Sequence, residues 1–560
     1  MGNNLIPKVA WSLTDEGIGV LERAGLAGLY LTLTAAEEWA GRNYPQALEL
    51  QQVLQWELSD QSIHLAWEGN DFSILKKLVN WAWQEREGVF WLPGVHRSQD
   101  DYEHYYKRLP THIGLLQTFF QHNKVLPREK NTTTCIIPID ENKSLRCDFK
   151  KLTVEKKSFY TKILQEILKK GISAANIHLK QSWIYPGAAK RFAKAEENWS
   201  GPPKLAFLLL FTPLSCLYWE LPRTKDGTNN WVFVIPMIDN LKIFADYFSF
   251  FRLHPPQNFK DLKILSLGDA ALRFASAYAG RGIERRLGNN QIYVVAMGKV
   301  GHYANQNVRK RLLEVVPSDI AIKRYVSLMH ELPNQFRWRR HDSQTTDEAD
   351  KSNAWIRQPT ARGRIADNLI HNRSWYQDLL WPHPWQLDEL ENQRQQTKKW
   401  DDKGISLEHL WFNNLLKERR ALMNLAQEPI MWDSPEEQTL LIIFHQTLRQ
   451  LLNKEEETHK RGASRSLGER WDDRVQDIRR GLMRAKTREL NRKFLMELLA
   501  EGGGSKHLTE NKEVLWRFLN HHYDWQKVRD LALLALITFT DQRLRKPKEI
   551  AEAEEDISNG

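Results

Sequence analysis

Hydrophobic and polar positions along this chain change rhythm several times, and each change predicts an element. Near the start, Thr14 reads as an N-cap with Asp15 and Glu16 at the positive end of a helix dipole. Leu13 and Ile18 are spaced for a hydrophobic staple, and Gly25 can end that helix. Leu29 to Thr34 (LYLTLT) then alternates like a strand. Leu54 to Leu58 and Ile63 to Trp67 read as two paired strands, Phe72 to Trp83 as a short helix, and Ile113 to His122 as another.

From Cys135 to Pro255 strand patterns dominate. Leu205 to Trp219 is a long apolar run of buried-strand type broken by Pro213, and a turn at Asp226-Gly227 leads into Trp231 to Met237. Gln291 to Met297 (QIYVVAM) adds one more strand after Gly288-Asn289-Asn290. His341 to Arg364 and Glu391 to Lys403 are polar and charged, and read as loops or linkers.

After about Ile405 strand signals stop. Ser434, Pro435 and Glu437 place a cap, a first-turn proline and a capping-box carboxylate ahead of Leu440 to Leu452. Helical blocks follow over Leu467 to Glu501 and Thr509 to Arg545, separated by three glycines. The fold expected is α+β, a mixed strand and helix body followed by an all-α C-terminal bundle. Its parts are an α+β region at 1–130, a strand-rich body at 131–340, a loop region at 341–404, a helical bundle at 405–546 and an acidic tail at 547–560.

Composition fits this picture. The 560 residues carry 80 Lys and Arg against 70 Asp and Glu, a net charge of +10, with 41% hydrophobic residues and 22 Trp. So aromatic a chain is not a disordered one. The apolar runs Leu205 to Phe211 and Leu531 to Phe539 fall short of the roughly 20 residues a spanning helix needs. MGNNLI at the N-terminus has no signal-peptide design, so a cytoplasmic, membrane-free protein is expected. Cys135, Cys147 and Cys216 form no CxxC pair, which argues against a disulfide framework or a zinc site.

A catalytic search finds no set. Gly298-Lys299 lacks the upstream glycine and following hydroxyl of a phosphate-cradling loop, and neither a GxSxG elbow nor an HExxH pair occurs. His341-Asp342 is the one dipeptide of metal-phosphohydrolase type, but it stands in a charged linker. His521-His522 reads as a structural or surface pair. No catalytic residue, metal ligand or cofactor is therefore assigned.

Basic clusters are the stronger signal. Lys460 to Lys493 holds twelve Lys or Arg against five Asp or Glu, a local excess of seven. Within it Arg480, Arg484, Arg488 and Arg492 recur every fourth residue, which on one helix makes a single stripe suited to successive phosphates. The competing reading is a solvated face in which Asp477 and Glu489 pair with their neighbours. Weaker nucleic-acid candidates are Lys299, Gln306, Arg309 and Arg311, and Lys190 with Arg191 after Tyr185-Pro186-Gly187. Most Trp, such as Trp81 and Trp83, read as core rather than as stacking platforms.

Several segments carry a resemblance. They are Arg23-Ala24-Gly25-Leu26-Ala27-Gly28-Leu29, Leu116 to His122 (LQTFFQH), Tyr185 to Ala189 (YPGAA), Gly298 to Arg311 (GKVGHYANQNVRKR) and Trp525 to Thr538 (WQKVRDLALLALIT). Together they resemble the large subunit of type I CRISPR surveillance complexes (Cascade), of the myxan-type branch. Where that family carries a Trp and a Gln-Gln-Lys-Arg-like core, Tyr303 and Gln306-Asn307-Val308-Arg309 stand here.

The resemblance implies a non-catalytic subunit whose N-terminal body binds the 5′ handle of a guide RNA and senses the motif flanking the target (PAM). It implies a C-terminal bundle like the small subunit, lining the displaced strand of the R-loop. The implied partners are guide RNA, target double-stranded DNA, other Cascade backbone and small subunits, and either a helicase-nuclease or a transposition-targeting protein. Family members can also make a small subunit from an internal start; Met431 would give 130 residues, and Met423 is the alternative. A metal-dependent nuclease and an aromatic-rich scaffold that binds only proteins remain open as competing classes.

Overall fold

The computed structural model describes residues 8–121, 126–140, 143–153, 157–180, 198–222, 230–248, 257–279, 291–297, 310–338, 354–379, 418–462, 466–503, 506–520, 523–541 and 543. The fold is α+β. The chain divides into two packing units, one of residues 1–322 and 334–358, the other of 323–333 and 359–560.

The first unit is organised around helix α1 (Val20–Gly41), buried on most of its circumference from Leu21 to Ala40. Such a helix has no polar face, and its LYLTLT stretch therefore mimics the alternation of a strand; residues 29–34 are helical here. The helix starts after Gly19, whose N–H donates to Glu22 Oε2 at 3.1 Å, so it neither begins at Thr14 nor ends at Gly25.

Gly25 and Gly28 lie against the backbone of the 203–215 segment, where a Cβ on either would overlap the carbonyl of Leu208 or Phe211. Thr212 Oγ1 and Ser215 Oγ donate to the carbonyls of Leu21 and Ala24 at 2.8 and 2.7 Å, fixing that contact. The apolar run expected as one strand is instead a helix (Pro203–Leu209), a 3-10 turn (Thr212–Ser215) and a short strand. Pro203 at the helix start and Pro213 in the turn set those breaks.

Against α1 pack α2 (Pro45–Val53), α3 (Asp71–Ala82), α6 (Pro203–Leu209) and α7 (Leu241–Phe248), and the unit also contains α4 (Tyr105–Gln117), α5 (Lys157–Leu168) and α8 (Leu267–Ala279). The helix expected over 113–122 thus starts earlier, at Tyr105, and ends at Gln117. An antiparallel sheet of order β1 (Val9–Ser12), β3 (Ser62–Ala66), β2 (Gln55–Leu58) includes the expected strand pair, and α3 matches its predicted span within a residue. Two-stranded pairs are β4 (Gln84–Arg86) with β5 (Val89–Trp91) and β8 (Ile177–Lys180) with β9 (Asn198–Gly201). A four-stranded antiparallel sheet follows the order β10 (Leu217–Leu221), β11 (Asn230–Pro236), β12 (Ile292–Met297), β13 (Lys310–Val315).

The remaining sheet joins β6 (Thr133–Asp140) and β7 (Lys143–Phe149) to β14 (Gln335–Trp338) and β15 (Ala354–Arg357), with β15 parallel to β7. Residues 354–357 therefore form a strand where a loop is expected, because they complete this sheet. Cys135 and Cys147, twelve residues apart in sequence, sit directly opposite each other on β6 and β7 as free thiols. Burial pushes the Cys147 thiol up to about 12 and raises those of Cys135 and Cys216. A raised pKa removes thiolate at neutral pH, so alkylation of the folded chain is expected to be slow at all three and fast only after denaturation. Rapid labelling of Cys147 in the native protein, read by peptide mass, would contradict this.

Among the described residues the Trp side chains are used largely as packing. Trp39, Trp81 and Trp91 cluster with Tyr44 and Tyr102, with ring centroids 4.9 Å apart for Trp91 and Tyr102. Trp81 Nε1 donates to the Thr32 carbonyl and Trp83 Nε1 to that of Leu210, as core indoles do.

The second unit takes in most of α9 (Asp319–Glu331), α10 (Arg362–Ile370), a helical stretch over 418–427, and α11 (Pro435–Lys460). It continues with α12 (Leu467–Arg484), α13 (Arg488–Gly502), α14 (Lys512–Leu519) and α15 (Trp525–Thr538). Pro435 opens α11 as the sequence predicts, but the Ser434 side chain makes no capping bond, and Glu437, expected to close a capping box, pairs with Lys527 instead. Residues 362–370, placed in the linker by composition, are a helix of this unit with Ile365, Ala366 and Leu369 buried. Among the described residues no strand follows β15.

A polar network ties the early pieces of this unit to the bundle. The Arg324 guanidinium donates to the carbonyls of Ile430 and Trp432 at 2.7 Å each and to Asp433 Oδ1 at 2.8 Å. Asp433 also accepts from Ser374 Oγ at 2.7 Å and Lys527 Nζ at 3.0 Å, and Lys527 pairs with the buried Glu437. Trp375 and Tyr376 pack their rings on Trp432 at 6.0 and 5.8 Å.

Candidate nucleic-acid interface

The four-residue recurrence from Arg480 to Arg492 predicts one helix, and the structure has two. Helix α12 ends at Arg484 and α13 begins at Arg488. Thr487 is the reason: its Oγ1 accepts from the Leu490 N–H at 3.3 Å, capping a new helix. Gly481 faces the Phe494 ring, where a Cβ would overlap it, so α12 and α13 fold tightly back on each other. Arg474 pairs with Glu501 along the same seam. The stripe is thus corrected to a corner, with Arg480 and Arg484 on one side of a turn and Arg488 and Arg492 on the other.

The electrostatics of the corner differ from residue to residue. Arg480 pairs with Asp477 at 3.4 Å, but both side chains are about 60% exposed, where such a pair is worth little. Arg484, Lys486 and Arg492 are exposed and Arg488 half-buried, and no carboxylate pairs with these four among the described residues. Arg484 completes the helix dipole at the C-terminus of α12. Arg488 stands in the first turn of α13, where a cation opposes the dipole. Four cations stand around one turn, one of them against a dipole, and none is ion-paired to a carboxylate among the described residues, although the exposed Glu489 shares the first turn of α13.

Of the other candidates, Arg311 is among the described residues. Arg311 is exposed on edge strand β13, opposite Ala296. Lys299, Gln306 and Arg309 lie outside the described residues, in the stretch that joins β12 to β13. Lys190 and Arg191 lie outside them too, between β8 and β9. So do His341, Asp342, His521 and His522. Among the described residues no group of three His, Cys, Asp or Glu side chains is arranged to hold a metal ion. No helix there is long and apolar enough to cross a membrane.

Sequence reasoning passed over Trp516. It is 61% exposed, the most exposed large apolar side chain among the described residues. The signal was present: α14 buries Leu515, Phe518 and Leu519, and Trp516 sits about 100° around the helix from Leu515, off that stripe.

Fold and surface together define an α+β protein whose helical unit carries an arginine-rich corner. Residues 10–210 match the family described as the DevT N-terminal domain, and residues 427–559 match the DevT C-terminal domain. The chain is therefore similar to DevT at both ends, in the same order. No curated protein matches it.

Proposed function

We propose that this protein is the non-catalytic large subunit of an RNA-guided type I CRISPR effector of the Cascade kind, working in the cytoplasm. Its α+β body binds the guide-RNA handle and reads the flanking motif, and its helical bundle holds the displaced strand. Guide pairing supplies sequence specificity in such a complex, so the protein's share is phosphate contact and a short-motif reader. The observation that carries the reading is the α12–α13 corner, where Arg484, Lys486, Arg488 and Arg492 lack carboxylate partners among the described residues. The order of an α+β body before a basic bundle supports it.

Purified from its native host, the chain is expected to carry a small repeat-derived RNA and several other subunits. Replacing Arg484, Arg488 and Arg492 by Glu should weaken binding of strand-displaced DNA. The log–log salt slope should drop by about 0.7 for each phosphate no longer neutralised, so by roughly 2 in all. An unchanged slope would mean that the corner is only a solvated face.

A further inference from the structure

The exposed indole of Trp516 has no role in packing the bundle, because α14 turns Leu515, Phe518 and Leu519 inward instead. The helix that carries it is held firmly. Phe518 stacks flat on Tyr523, with centroids 3.9 Å apart and rings within 1° of parallel. Lys512 stands one helical turn before Trp516 on the same face and is exposed, without an ion-pair partner among the described residues. The helix thus presents an exposed apolar plate, with a cation one turn away.

Its position in the bundle brings it towards the arginine corner. The charge of Arg517, next in sequence, bears on Glu436 in the first turn of α11. Helix α15 runs alongside α11 in the same direction, from Lys527 beside Asp433 and Glu437 to Thr538 bonded to His445. Helix α12 starts beside Glu455, near the far end of α11, and packs along α15. Its last residue, Arg484, and the first turn of α13 therefore return to the end where α11 begins. Cations and plate share one end of the bundle.

That combination selects among anionic polymers. A duplex offers phosphates and keeps its base faces stacked inside, so the indole would gain nothing from it. A single strand offers both, and stacking of a base on an aromatic ring is tolerant of sequence. We propose that Trp516 is a base-stacking platform for single-stranded nucleic acid, one unpaired base lying on its ring while the neighbouring phosphates meet Lys512 and the α12–α13 arginines. This rests on the nucleic-acid reading above and adds to its phosphate contacts a base contact at a named residue.

The test uses the full-length chain with an oligothymidylate of about 20 nucleotides and a duplex of equal length. Trp516→Ala is expected to lose about tenfold or more in single-strand affinity, while Trp516→Phe keeps most of it. Duplex affinity and the salt slope should be unchanged in both variants, since every phosphate-binding cation stays in place. Equal losses for strand and duplex would overturn the platform, as would an unchanged Trp516→Ala. If Trp516→Ala has no effect while the Arg484, Arg488 and Arg492 reversals do weaken binding, the platform alone fails. If neither matters, or the wild-type chain binds no oligonucleotide, the nucleic-acid reading falls with it.

Discussion

Gly28→Ala is expected to unfold the first unit under conditions where the wild-type chain is stable. The added Cβ would fall on the carbonyl oxygen of Phe211, a backbone atom rather than the end of a side chain. That backbone cannot drift away cheaply, because Thr212 and Ser215, just after Phe211, bond across to the carbonyls of Leu21 and Ala24 on the same helix. Overpacking of a core typically costs about 1–3 kcal/mol, and a clash between two main chains belongs at or above the upper end. Gly41→Ala is the control, since nothing lies within 4 Å of a Cβ there. A denaturant titration in which Gly28→Ala and Gly41→Ala unfold together would show that the helix can shift to make room.

The second large effect is expected at Arg324. Replacing it by Ala leaves the Ile430 and Trp432 carbonyls without their donor and Asp433 without its closest cation. Asp433 is partly exposed and keeps Lys527 and Ser374, so the loss falls on the two carbonyls left without a donor, about 1–3 kcal/mol each, and the second unit should melt below the first in the variant. Arg324→Lys keeps the charge but not the three-way fork, and should recover only part of the loss. Coincident melting of wild type and Arg324→Ala would show the network to be dispensable.

The same network fixes a pH dependence. Burial opposes the Asp433 charge, but bonds from Ser374, Lys527 and Arg324 overcome it and hold the carboxyl below its usual range. A depressed carboxyl contributes its stability above the unfolded value, and that contribution fades as the pH falls through the folded one. The acid limb should therefore be shallower in Arg324→Ala.

Much of the outline was legible because local signals agreed with the tertiary result. Pro435 opens α11, the alternation of β2 and β3 survives in their sheet, and the short apolar runs of β11 and β12 stand as strands buried on both faces. Failures came where burial erased the pattern. Helix α1 is apolar nearly all round, so its period vanished and LYLTLT passed for a strand. The 203–221 run is likewise buried throughout, and only its prolines hinted at the breaks. At the site, the charges were legible but the geometry was not. A period of four fitted one helix until the Thr487 cap, a weaker sequence signal than the arginines around it, split it in two. The opposition of Cys135 and Cys147 depends on hairpin register, which no spacing in the sequence announces.

The Arg324 fork also bears on where this protein can be cut. The DevT C-terminal match begins at 427, and a start at Met431 would leave all of α11 to α15 in the product. Yet Met431 is fully buried and Trp432 only 6% exposed in the whole chain. Their cover comes from upstream: the rings of Trp375 and Tyr376, and the guanidinium of Arg324. A bundle translated or excised from Met431 would open with a bare indole and with Asp433 stripped of its arginine. Such a piece is a sticky fragment unless a surrogate surface shields its first turn. Anyone isolating the helical half should carry 323–333 and 359–379 with it.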